Sequence, residues 1–71
     1  MANRGKLVVI DLDEGHRDFV VYYGPIDEWL SSNQENRELM RTVNKLKIGE
    51  TVRTLRDDRD RMHVHLIARL A

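Results

Sequence analysis

The sequence contains no cysteine, so neither a disulfide nor a thiolate-bound metal can hold the fold together. That absence fits a reducing compartment. The chain also lacks net charge, because 12 lysines and arginines balance 12 aspartates and glutamates. Nucleic-acid binders draw affinity from phosphate neutralisation and are usually basic; neutrality points away from that class and leaves room only for a local patch. No apolar run approaches the roughly 20 residues a membrane helix needs. The first residues, MANRGKLVV, offer no long apolar stretch of the signal-peptide kind. A soluble cytoplasmic protein is expected. There is no glycine-rich phosphate loop and no local signature of a nucleophilic triad.

What remains is a chain of 71 residues, read as a single domain over 1–71 without internal linker, repeat or low-complexity segment. A domain this small buries only about 60% of its unfolded surface. Such chains commonly lean on disulfides, a metal or a second subunit. With cysteine excluded, the candidates are imidazole and carboxylate ligands or oligomerisation.

Two β-branched and aromatic runs, KLVVIDLD and RDFVVYYG, flank the turn residues DEGH and predict a β-hairpin. Gly24-Pro25 then punctuates the chain, and Pro25 suits the first turn of a helix. Leu39, Met40, Val43 and Leu46 recur at helical spacing, and Trp29 and Leu30 extend the stripe backwards. Acidic residues gather at the start of this stretch and basic ones at its end, which complements the helix dipole. Ser32 and Glu35 make a capping-box pattern, so either one long helix or a short turn followed by a longer helix fits. Gly49 reads as the residue that ends it. ETVRTLR is a weaker strand, because Val52 and Leu55 are three apart, which suggests a bulge or a short strand. RMHVHLIARL is the clearest strand, with Met62, Val64, Leu66, Ala68 and Leu70 on one face. The expected class is α+β, in the order β-β-α-β-β: a four-stranded antiparallel sheet with one main helix packed on one face.

Three patterns bear on chemistry. VVIDLDEG, an apolar strand ending in Asp-x-Asp, resembles the first motif of haloacid-dehalogenase-like phosphatases. The resemblance covers eight residues and implies that Asp11 attacks phosphorus, with Asp13 as acid/base and a magnesium ion between them. That fold needs a full parallel sheet and three further motifs, for which the chain has no room. Asp11 and Asp13 are therefore expected to form a solvated strand end. His63 and His65, two apart on a strand, project together and could hold zinc, copper or nickel if His16, Asp11 or Asp13 supplied a third ligand. The expectation is instead that they lie on the less buried sheet face, with no metal and no cofactor. Arg61, His63, His65 and Arg69 share one side of the last strand, but no aromatic pair of the RNA-stacking kind accompanies them.

The fourth pattern concerns both faces of the sheet. If the helix packs on Val8, Ile10, Leu12, Phe19, Val21 and Tyr23, the other face shows Leu7, Val9, Val20, Tyr22 and Ile67. The wet side of an antiparallel sheet should be polar, and apolar patches ringed by charge mark association surfaces. The function expected is a small non-enzymatic protein-interaction module. It would act as a homodimer, or as a stoichiometric regulator or inhibitor of a larger protein of the kind mobile elements encode. Leu7, Val9, Val20, Tyr22 and Ile67 would form the apolar centre, and Arg61, His63, His65 and Arg69 the polar rim, with the histidines tuning association by pH. The alternative is a nucleic-acid-binding protein using the basic face of the C-terminal strand.

Overall fold

Two hairpins meet side by side. The computed structural model describes residues 5–12, 18–58 and 61–71, and for 56–58, 61 and 62 the backbone alone. Strands β1 (Lys6–Asp11) and β2 (Phe19–Pro25) pair antiparallel, as do β3 (Thr51–Asp58) and β4 (Arg61–Arg69). The hairpins join through an antiparallel β1–β4 ladder, giving one sheet in the order β2-β1-β4-β3. β1 and β4 are thus central, and β3, with Thr51, Arg53 and Thr54, takes an edge where polar side chains discourage further pairing. The class is α+β, with a four-stranded antiparallel sheet.

Between the hairpins run two helices rather than one main helix: α1 (Ile26–Ser32) and α2 (Arg37–Asn44). The break falls near Ser32, but Ser32 does not cap the second helix. Its hydroxyl donates back to the Glu28 carbonyl at 3.1 Å, inside α1. Asn36 is the cap, its side-chain oxygen accepting from the Leu39 N–H at 3.0 Å, which satisfies one of the free amides of the first turn. Pro25 precedes α1 as its N-cap residue at the end of an edge strand, where its missing N–H interrupts no ladder. The Ile26 N–H donates to Gly5 at 2.9 Å and ties the start of α1 to the start of β1.

Helix α2 ends at Asn44, five residues before Gly49. Gly49 instead belongs to a turn that the Glu50 N–H closes onto the Lys47 carbonyl. Its φ of 89° lies in the left-handed region, which favours glycine because a Cβ there crowds the following carbonyl. Strand β3 pairs with β4 in unbroken register from Thr51 to Asp58. Val52 and Leu55 therefore lie on opposite faces, and of the two alternatives, a bulge or a short strand, neither occurs: β3 is eight residues long and pairs without a register shift. A bulge occurs elsewhere, in the β1–β2 ladder, where the register shifts between Val9 and Ile10.

The core sits between the helices and one face of the sheet. Leu7, Val9 and Ile67 from the strands meet Ile26, Trp29, Leu39, Val43 and Leu46, with Tyr22, Leu30 and Val52 packed at the margin. The covered face is therefore the one that carries Leu7, Val9 and Ile67, the reverse of the sequence expectation. The molecule measures 38 × 23 × 16 Å, a slab about as thick as one sheet and one helical layer. Among the described residues no helix is long and apolar enough to cross a membrane.

Candidate functional site

Alternation along the strands decides what each face offers. Odd positions of β1 and β4 point to the helices, so even positions point away. The cross-strand partners on the helix-free face are Val8 with Tyr23 and Ala68, Ile10 with Val20 and Leu66, and Leu55 with Val64. Val20, Tyr23 and Leu55 are 57, 64 and 64% exposed. Val8, Ile10, Val64, Leu66 and Ala68 are half-buried by their neighbours alone. Among residues whose side chains are described, Lys6 and Arg53 bring charge to this face, at one end of β1 and on the edge strand.

Of the residues expected to form an exposed apolar centre, only Val20 is on the open face. The bulge puts it there: Val9 pairs with Tyr22, but the shift then sets Ile10 opposite Val20. Leu7, Val9 and Ile67 are wholly enclosed beneath the helices. Tyr22 lies beside them, its O–H donating to the Pro25 carbonyl at 2.6 Å. Loss of ring hydration, and then the negative charge of Glu28, push its phenol above the usual value of 10.0.

The expected polar rim is likewise on the helix side. Arg69 is tied up by backbone carbonyls, donating through Nη1 to Leu46 at 2.6 Å and through Nε to Ala71 at 3.0 Å. His63 and His65 extend past the helices at the opposite end of β4, away from the open face, so they do not border it. Arg61 opens β4, and its side chain lies outside the described residues, as do Asp13 and His16.

Asp11 corrects another expectation. It is no solvated strand end but is 4% exposed, and it is the one buried charged residue among those described. It stands opposite His65 in the β1–β4 register. One carboxylate oxygen, Oδ2, approaches His63 Nδ1 at 3.2 Å and His65 Nε2 at 3.4 Å. The other, Oδ1, is buried without a hydrogen-bond partner. These three side chains line a cleft of about 940 Å³ between the sheet and the α1–α2 turn, together with Phe19, Asn33 and Arg37. The His-x-His spacing and the strand ending in Asp were both visible in sequence. Their meeting depends on β1 lying beside β4, which no local pattern specifies.

The chain matches no protein-family model, no curated protein and no solved structure.

Proposed function

We propose that the chain is a protein-interaction module that pairs with a second copy of itself through the helix-free face of the sheet. One observation carries this reading: the face centred on Ile10 and Leu66 is apolar along the middle of β1, β2 and β4 and at Leu55 of β3, although no helix among the described residues packs on it. An antiparallel sheet open to water is ordinarily polar on that side.

The size of the face suits a self-partner. Four strands at about 4.8 Å spacing and roughly six residues at about 3.3 Å give a plane of about 400 Å². Side-chain relief enlarges its accessible area, so two copies together bury about 1,000 Å², near the lower bound for a specific interface. Two sheets stacked face to face at about 10 Å form a sandwich, an arrangement in which aligned apolar faces interdigitate. The two flanking cations, Lys6 and Arg53, lie at the margin, where they stay hydrated. The gain also answers the size problem, since a 71-residue chain has a thin core.

The nucleic-acid alternative draws less support. Its basic strand face would consist of Arg61, His63, His65 and Arg69, yet Arg69 is committed to two backbone carbonyls and both histidines lie against Asp11.

Sedimentation equilibrium across the micromolar range tests the proposal. The wild type should populate a dimer that grows with concentration. Leu66→Lys, which puts a charge at the centre of the face, should be monomeric with an unchanged far-UV spectrum. A monomer at every concentration contradicts the self-partner, and capture of a different protein of matching apolar surface would assign the face to a foreign partner.

A further inference from the structure

We infer that Asp11, His63 and His65 form a binding site for a divalent transition-metal ion, at the wall of the cleft and on the side of the sheet remote from the dimer face. Three observations support it. The first is chemical: one carboxylate and two imidazoles converge, and imidazole donors favour zinc, nickel or copper over magnesium or calcium.

The second is a pair of unsatisfied atoms. Asp11 Oδ1 and His63 Nδ1 are both buried and neither has a hydrogen-bond partner. Buried polar groups are nearly always paired, and an orphaned carboxylate oxygen in a nine-tenths buried side chain is costly. An ion held by both oxygens of the Asp11 carboxylate and by His63 Nδ1 would satisfy both atoms. Among the described residues, moreover, the cation-capable groups within 4 Å of this carboxylate are the two imidazoles.

The third is geometric. His63 Nδ1 lies 3.2 Å from Asp11 Oδ2, yet it makes no hydrogen bond. A close approach without alignment is how two ligands of one ion stand to each other. Donor atoms about 2.0–2.1 Å from a tetrahedral ion lie about 3.4 Å apart, which matches the 3.2 and 3.4 Å separations. The imidazoles are not yet closed around one point. Their centroids are 6.5 Å apart, against about 5 Å for two rings on a tetrahedral ion, and no three described donors are already arranged as a complete set. Closing that gap takes about 1 Å of side-chain rotation, and both rings, 20 and 19% exposed, border open cleft rather than packed core. With three protein donors the ion keeps a fourth position facing the cleft, open to water or an anionic ligand.

The site is tested with Zn²⁺ alone, by calorimetric titration and by thermal unfolding of the full chain at pH about 7.5, where histidine is mostly neutral. The expected stoichiometry is one ion per chain, independent of protein concentration. At free Zn²⁺ a hundredfold above Kd, Tm should rise by about 15 °C, and Mg²⁺ should have no effect. Asp11→Asn, nearly isosteric, and His63→Gln should each weaken binding at least tenfold. Asp11→Asn keeps the test decisive if a histidine variant fails to fold. Absence of binding overturns the inference. So does binding that Asp11→Asn leaves intact, or a stoichiometry of one ion per two chains lost in Leu66→Lys, which would place the ion between copies. The first two of these outcomes do not bear on whether the open face pairs, whereas the third would itself report pairing.

Discussion

Ile10 stands opposite Leu66 across the β1–β4 ladder, at the middle of the face that carries no helix. Their strand neighbours Val9 and Ile67 are also register partners, and these are sealed beneath the helices. At this level of the ladder the two central strands are therefore apolar on both faces, while the helices supply cover for one. That surplus of apolar surface is the basis for assigning the chain an association role.

The covered pair should dominate the stability of the single chain. Ile67→Ala removes atoms from a site with no exposure, where such truncations cost about 3 kcal/mol. A domain of this length has about 4–10 kcal/mol in all, so denaturant unfolding should show a large drop in midpoint. Ile67→Val should cost about 1 kcal/mol.

Two glycines should resist substitution for different reasons. At Gly49 a Cβ would meet nothing, but the φ of 89° is strained for any other residue, so Gly49→Ala should cost about 1 kcal/mol through the backbone alone. At Gly5 a Cβ would run into the Ala71 carbonyl, the Arg69 guanidinium and the Ile26 side chain. Gly5→Ala should cost about 2 kcal/mol, the overpacking range, and should disturb the junction of β1, α1 and the end of β4. Chemical denaturation of both variants at equal m-value checks the order.

Asn36, rather than Ser32, should behave as the cap of α2. Asn36→Ala removes the acceptor for the Leu39 N–H and should cost about 1 kcal/mol. Ser32→Ala loses a bond within the last turn of α1 and should change stability by less than about 0.5 kcal/mol, as exposed substitutions do. Thermal melts of the two variants separate these roles.

Tyr22 should give stability an alkaline limit. Its phenol is raised from 10.0 by loss of hydration and by Glu28. Above pH 10 the unfolded chain loses this proton first, so the folded state binds more protons and stability falls as pH rises through the folded value. Below pH 10 the contribution is fully present. Tyr22→Phe should flatten that alkaline slope, measured by urea unfolding across the range, and should leave the neutral and acid limbs unchanged.

The order of the strands' apolar runs, the turn before α1 and the antiparallel sheet could all be read from periodicity, because alternation of two and recurrence of three to four are local properties of the chain. Which face is covered could not. The clearest stripe, Val64, Leu66 and Ala68, looks like a core stripe when β4 is taken alone, yet it faces outward. The opposite stripe looks wet because it carries His63, His65 and Arg69. The helices cover only its Ile67 segment: Arg69 reaches around to the Leu46 carbonyl at one end, and the histidines run into the cleft at the other. The bulge that carries Val20 to the open face has no signal in FVVYY, since each of those residues suits either side of a strand. Asp11 was legible as chemistry but not as buried, because its burial comes from a neighbour some fifty residues on in sequence.

The most direct test of the account is a mixed-label nuclear Overhauser measurement, with ¹³C-methyl-labelled chains mixed with unlabelled ones and filtered for contacts between different molecules. Intermolecular contacts are expected from the methyls of Val8, Ile10, Val64 and Leu66, and none from Leu39, Val43 or Ile67. A spectrum without intermolecular contacts at concentrations where the chain should be dimeric, or one whose contacts come from the helices, would contradict it.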